Sequence, residues 1–375
     1  PYFRLIKDIN FYTMPKNFSF RTDLDKNYNE TKLRNLSNSN LIIYPTYNKI
    51  FNWNRMYDVK YDISRLLKLD FNVTHRANID EPVGVLSKSD PLYREKIDTT
   101  WSNFWNFGRP TSYKQVLGLN YQAPLNKIPI LNFLSLNTRY NSTYDWISAP
   151  VALKNLGNNI QNSRNRQYNG QINLTTLYNK VPYFKKVNQV QRRARSRNAS
   201  KKQNTDKNNT NGNYEILKHL TRFVLAVKNV SINYSLNEGT FIPGYKFQPH
   251  FLGMKWSEMA PTVPFVFGSQ KDIRKQAGTR GWLTLDSTLN TMYNQNKSMN
   301  LTIRSTVEPI KQFRIELTAN KTTSNNLSEY FRWNSQLDQF SSFSTNQTGS
   351  YSISYISWRT AFISDSDDNQ SSVFG

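Results

Sequence analysis

Between Tyr57 and Val73 the chain reads YDVKYDISRLLKLDFNV. The odd positions carry Tyr57, Val59, Tyr61, Ile63, Leu67, Leu69, Phe71 and Val73, and the even ones are mostly Asp, Lys, Asn or Ser. A period of two is an extended strand with one apolar and one polar face. The rhythm runs back through Arg55 and Trp53 to Phe51. Taken as one strand, Phe51–His75 would be about 80 Å long at roughly 3.3 Å per residue. That is far beyond the ordinary strand of about 5–6 residues. It also exceeds the 9–11 or so tilted residues that cross a bilayer.

The same alternation recurs. One face collects Phe18, Phe20, Leu24 and Tyr28, then Leu117, Leu119, Tyr121 and Ala123, then Leu134, Leu136, Tyr140, Tyr144 and Trp146. It continues with Tyr168, Ile172, Leu174 and Tyr178, with Val230, Ile232, Tyr234 and Leu236, with Met299, Leu301, Ile303 and Val307, and with Phe313, Ile315, Leu317 and Ala319. Residues 281–293 alternate through Leu283, Leu285 and Leu289. The opposite positions are rich in Asn, Gln, Ser, Thr, Asp and Lys. The pattern predicts an all-β fold, an antiparallel transmembrane β-barrel, with long loops and one or two short helices. A soluble sandwich also alternates; strand length favours the barrel.

No apolar run nears the roughly 18 residues of a membrane helix, and a mean hydropathy of −0.69 is compatible with barrel strands, which score as hydrophilic. Trp53, Trp146, Trp282 and Trp358 lie in or at the ends of alternating segments, where an interfacial girdle would place them. Four connections share a proline word: TMPKNF at 13–18, NKIPIL at 126–131, NKVPYF at 179–184 and VEPIKQF at 307–313. Proline lacks a ladder donor and belongs at turns. Counted with Phe51–His75 as one strand, TMPKN and NKIPIL fall on opposite sides of the wall. Ile97, Trp101, Phe104 and Trp105 have helical spacing, with Gly108 and Pro110 as stop signals, so a short helix is expected near 97–107. A second helix is expected over 214–227. The expected organisation is barrel strands over 1–184, a basic flexible loop over 185–213, further strands over 214–364 and a polar tail over 365–375. Pro1 without an initiator methionine reads as a piece of a longer polypeptide.

Catalytic chemistry is not legible. His75, His219 and His250 show no ligand spacing, and there is no cysteine. Asp23/Asp25 read as a polar strand face, Asp80/Glu81 as the lead into a turn at Pro82, and DSDD at 365–368 lacks the Gly and Glu of a calcium loop. No phosphate loop or nucleophile elbow is present. The expectation is a non-enzyme without cofactor or metal. The net charge of +23 concentrates in Lys185–Lys207, which sets nine Lys and Arg against Asp206. Such a run contacts anionic lipid or nucleic acid, or is simply solvated. No aromatic residue stands between Asn188 and Thr210, as a stacking surface would require. No nucleic acid is therefore expected as a partner.

A set of words occurs in fixed order: FRLIKDINF, FNWNRMYDVKYDISRLLKLDFNVT, ANIDEPVG, YQAPLNKIPIL, YDW, LGNNIQNS, LYNKVPYFKKV, VKNVSINYS, EGTFIPGY and GSYSISYISWRTAF. By these words, from about residue 3 to about 362, the chain resembles the SprA/Sov family, the giant outer-membrane translocons of the type 9 secretion system of Bacteroidetes. The resemblance implies a fragment of a very large barrel that passes folded cargo proteins to the cell surface through a gated opening. It implies secreted cargo, a PorV-type outer-membrane barrel, a periplasmic plug protein, a periplasmic prolyl isomerase and outer-membrane lipid as partners. It carries no catalytic residues. The chain is far too short to close such a barrel alone. An outer-membrane barrel for small solutes, and a soluble basic β protein binding nucleic acid or polysaccharide, stay open as alternatives.

On this reading Leu67, Leu69, Phe71 and Val73 form the lipid-facing wall, and Arg65 marks its edge. Phe51–Ile63 is wall beyond the membrane, where Tyr57 and Tyr61 pack against a cap, loop or partner. Trp53, Trp146 and Trp282 are the candidate interfacial aromatics. Phe241, Pro243, Gly244 and Tyr245, within EGTFIPGY, are candidate loop contacts.

Overall fold

The computed structural model describes residues 10–33, 43–84, 88–182, 184, 225–310 and 313–354. Ten strands follow in chain order: β1 (Asn17–Thr31), β2 (Thr46–Asp62), β3 (Leu67–Asn78), β4 (Arg109–Ala123), β5 (Leu134–Ile147), β6 (Asn158–Asn173), β7 (Val227–Tyr245), β8 (Tyr293–Ile310), β9 (Phe313–Asn334) and β10 (Gln339–Ile353). Each pairs antiparallel with its sequence neighbour, giving one sheet in the order β1 to β10. Among the described residues, β1 pairs with β2 alone and β10 with β9 alone. The fold is an all-β meander. The strands run from 12 to 22 residues, well past ordinary length.

The stretch Phe51–His75 is a hairpin rather than one strand. Tyr57 faces Val73, Val59 faces Phe71 and Tyr61 faces Leu69. Facing residues carry numbers of equal parity, so the chain reverses without breaking its odd–even rhythm, and the period conceals the turn. Ser64 makes the reversal, its hydroxyl accepting the N–H groups of Leu66 (3.2 Å) and Leu67 (3.0 Å). Arg65 is exposed at the tip. The expected division into a membrane part after Arg65 and an outer part before it therefore fails, because the two halves stand side by side.

That correction also places the proline words. TMPKNF leads into β1, NKIPIL joins β4 to β5, NKVPYF begins the β6–β7 connection and VEPIKQF spans the β8–β9 reversal. All four lie at one end of the sheet with the β2–β3 turn, here called the hairpin end. Two of them touch: Lys180 Nζ donates to the carbonyls of Pro129 (2.6 Å) and Ile130 (2.9 Å).

The opposite, cap end carries residues 79–108 with helix α1 (Tyr93–Trp105), residues 148–157, and residues 246–292. The expected helix near 97–107 is present, stopping at Phe107 and Gly108, both with positive φ. Its aromatic stripe is not buried as a unit: Phe104 stacks on Trp53 at 4.9 Å, while Trp101 and Trp105 are exposed. Residues 174–178 are not strand. They form helix α2 (Leu174–Tyr178), whose first turn is capped by Asn173. Residues 281–293 alternate without forming a strand before Tyr293. The basic run 185–207, His219, most of the expected helix 214–227, Trp358 and the tail 365–375 lie outside the described residues.

Residues 246–292 fold back over one face of the sheet and carry helices α3 (Val263–Val266) and α4 (Arg274–Thr279). Trp146 Nε1 donates to the Phe247 carbonyl (2.9 Å), Tyr140 Oη to that of Phe267 (2.5 Å), and Asn162 Nδ2 to those of Phe265 and Ser269 (both 2.8 Å). Beneath this cap sits the hydrophobic core. Val73, Tyr113, Tyr144, Trp146, Ile160 and Ile242 from the strands meet Met254, Phe265, Val266, Ile273 and Trp282 from above.

Asp80 ties the 79–108 connection together. Its carboxylate accepts Arg109 Nε (2.7 Å), Arg109 Nη2 (3.0 Å) and Asn78 Nδ2 (2.8 Å), and its carbonyl accepts Asn103 Nδ2 (2.7 Å). The Arg109 hydrogen bonds hold its pKa below the usual 3.8. A depressed carboxylate contributes stability above its unfolded pKa, lost as pH falls through the folded value. Hydrogen exchange of α1 should therefore accelerate only below about pH 4, and Asp80→Asn should produce that acceleration at neutral pH. Unchanged exchange in the variant would remove Asp80 from this role.

Candidate membrane-facing wall

The register sorts side chains onto two faces. The face away from the cap is polar along its length. Lys68, Asp70 and Asn72 on β3 sit beside Asn120 on β4 and Arg139 and Asn141 on β5, then Asn165 and Asn169 on β6, Asn233 and Asn237 on β7, and Asn300 and Thr302 on β8. These groups satisfy one another across strands: Asn72 Nδ2 donates to Asp58 (2.5 Å), Arg139 Nε to Asn120 (2.8 Å), and Asn165 to Asn237. Apolar residues such as Met56 and Val116 are few. Such a surface is stable only against water.

The cap face divides along the strands. Near the cap end it carries the buried core. Near the hairpin end it carries an aliphatic belt: Leu67, Leu69 and Phe71 on β3, Leu117 and Leu119 on β4, Leu134 and Leu136 on β5, Ile172 on β6, Val230, Ile232 and Leu236 on β7, Met299, Leu301 and Ile303 on β8, and Ile315, Leu317 and Ala319 on β9. Among the described residues, the core cluster under the cap includes none of Leu119, Leu136, Ile172, Ile232, Ile303 or Leu317.

The belt does not follow one row of the sheet. The register row through Leu69 runs by Leu119, Tyr140, Arg166, Leu236 and Met299 to Thr323. The belt lies on that row on β3 and β4, and is displaced toward the hairpin end on β5 to β9, most on β5, β6 and β9 and least on β8.

A charge cluster marks the belt's upper rim on β6–β8. Glu238 is 8% exposed and accepts Arg164 Nε (2.7 Å) and Arg166 Nη2 (3.0 Å), with Lys297 Nζ at 3.8 Å. A buried carboxylate needs such compensation. The next position up, Thr240, is already under the cap, its hydroxyl 2.7 Å from Gln270 Oε1. Among the described residues, no three His, Asp or Glu side chains converge as a metal site would require.

The expected site residues separate accordingly. Leu67 and Leu69 lie in the belt, and Phe71 at its rim. Val73 is 7% exposed, packed in the core beneath the cap, so protein covers it. Tyr57 packs against that same core, as its expected contact with a cap requires. The three tryptophans are not an interfacial girdle. Trp146 and Trp282 are each 1% exposed, and Trp53 lies under Phe104 and Phe107 with its Nε1 donating to Thr22 (2.7 Å). Their alternation records burial under connections. Phe241, Pro243, Gly244 and Tyr245 belong to the end of β7, not to a loop. Gly244, at φ +81°, is where two connections close in: its carbonyl accepts the Thr284 N–H (2.7 Å), and a Cβ on Gly157 would fall 2.7 Å from its carbonyl carbon.

Neither protein-family models nor curated proteins give a match to this chain. The two-faced wall is therefore the observation that carries function. Sequence reasoning missed the Glu238 cluster and the cap, because their partners lie 30 to 127 residues apart with no local period to reveal them.

Proposed function

We propose that this chain is part of the wall of a transmembrane β-barrel in an outer membrane of Bacteroidetes type, and that the barrel conducts protein cargo. The two-faced wall carries the reading: one face offers lipid an apolar belt, and the other offers water a polar surface rich in Asn, Ser and Thr. A lumen wider than ten strands enclose rests on the resemblance to the SprA/Sov translocons. Membrane barrels reach 36 strands. Protein rather than small-solute passage rests on the resemblance to the SprA/Sov translocons, and so do the expected partners: cargo, a PorV-type barrel, a plug and a prolyl isomerase. Transport is passive, the polar face presenting cargo with a water-wetted surface. The cap end, with its long connections 79–108 and 246–292, faces outward by the usual loop asymmetry. The β6–β7 connection, which leaves and returns at the hairpin end, is the exception.

The native chain lacks cysteine, so single cysteines test the wall with a lipid-phase reagent. Leu119, Leu136, Ile232 and Ile303 should label. Their neighbours Asn120, Asn137, Asn233 and Thr302 should not, nor should Tyr144 under the cap. Equal labelling on both faces would overturn the barrel reading, and absence of labelling would favour the soluble basic β protein. Conductance of the assembled channel separates protein passage from small-solute passage by pore diameter.

A further inference from the structure

On the cap face, a cleft of about 700 Å³ opens between strands β1–β4 and the cap. Its lower wall is Phe18, Val59 and Phe71, which step directly onto the belt row of Tyr61 and Leu69. Its upper wall includes Val73 and Tyr113, and Phe251 stands exposed at its mouth. A mostly apolar cleft of this size with a few convergent polar groups is the usual form of a small-molecule site.

Among its polar lining residues, which include Asn106, Gln248 and His250, Arg55 and His75 each keep one donor without an acceptor. Arg55 is 7% exposed, and among the described residues it makes no ion pair. Its Nη2 lies 3.0 Å from His75 Nδ1 and 3.4 Å from the Phe107 carbonyl. An arginine only donates, so Nδ1 accepts and the imidazole proton sits on Nε2. Arg55 Nε and His75 Nε2 are both buried without a hydrogen-bond partner. A buried guanidinium lacking an anion is costly, and both side chains line the cleft. Apolar walls continuous with the belt, ending on an unneutralised cation and a second N–H, are complementary to one ligand class.

We propose that this cleft binds an acidic membrane lipid, its acyl chain entering from the belt past Val59 and Phe71 and its anionic head meeting the Arg55 guanidinium. The source of the lipid rests on the membrane reading above; the chemistry of the cleft does not. The site would anchor the β1–β4 part of the wall at a fixed height in the bilayer.

The test uses the full chain in neutral detergent micelles, which keeps it independent of membrane insertion. Phosphatidylglycerol or phosphatidylcholine carrying a diazirine late in the acyl chain is photolysed, and crosslinked peptides are identified by mass spectrometry. Crosslinks on β2 and β3 should be at least tenfold more abundant with the acidic lipid. Arg55→Met, which keeps the length and removes the orphan cation, should erase that preference. Val59→Trp, which narrows the lower cleft without touching the charge, should reduce crosslinking by both lipids. Equal crosslinking by both lipids in the unmodified chain, or a preference surviving Arg55→Met, overturns the proposal. Complete competition by millimolar inorganic phosphate would also overturn it, since the cleft would then hold a free anion. Belt cysteines that label alongside a cleft without lipid preference would leave the wall standing and this inference refuted. The reverse pattern would refute the wall alone.

Discussion

Ile232→Arg will block membrane assembly of this wall, and Asn233→Arg next to it will not. Ile232 lies in the middle of the β7 belt, between Val230 and Leu236 on the cap face. An arginine facing lipid at the midplane costs about 2–4 kcal/mol, falling towards zero near the interface. Asn233 points to the other face, where its row neighbours are Asn169 and Thr302 and a guanidinium stays in water. The two variants share charge, strand and position to within one residue, so a difference between them reports the face alone. Flotation with membranes and resistance to urea extraction measure the outcome. Equal loss in both variants would mean that β7 tolerates no charge for reasons of strand pairing, and equal tolerance would mean that no lipid meets the belt.

That contrast rests on a pattern the sequence displays well. Alternation finds most of the strands because an apolar residue on the belt and a polar residue opposite it differ at every step. It fails where the cap face is itself polar. The first half of β6, NNIQNSRNR, shows no stripe, since Asn162 bonds cap carbonyls and Arg164 and Arg166 serve Glu238. β10 shows no stripe either, its inward and outward positions being almost equally rich in Ser and Thr. The β2–β3 turn is invisible for the opposite reason, the equal parity of facing residues. Tryptophans mislead because burial under a cap and placement at a bilayer interface both put them at strand ends. The Arg55–His75 pair joins residues 20 apart across a hairpin, and only the register reveals that they face each other.

Trp146→Ala should release the cap while leaving the wall paired. Trp146 is 1% exposed, sits among Ile160, Ile242 and the cap side chains, and donates to the Phe247 carbonyl at the point where the cap departs from β7. Truncating a buried tryptophan costs about 3–5 kcal/mol. The cap's helices add little of their own, because they have 4 and 6 residues and helices that short do not persist alone. Each strand ladder closes through its own backbone hydrogen bonds from β1 to β10 and passes none of them through the cap. The loss should therefore be local, as expected for units that open independently. Hydrogen exchange and protease cleavage within 246–289 should rise sharply, with protection of β5, β6 and β7 near the hairpin end unchanged. Leu285→Ala, at a cap residue already 53% exposed, should change stability by less than about 0.5 kcal/mol. Should Trp146→Ala instead unfold the ladders together with the cap, the cap is an integral part of the wall, and strand pairing depends on the core it covers.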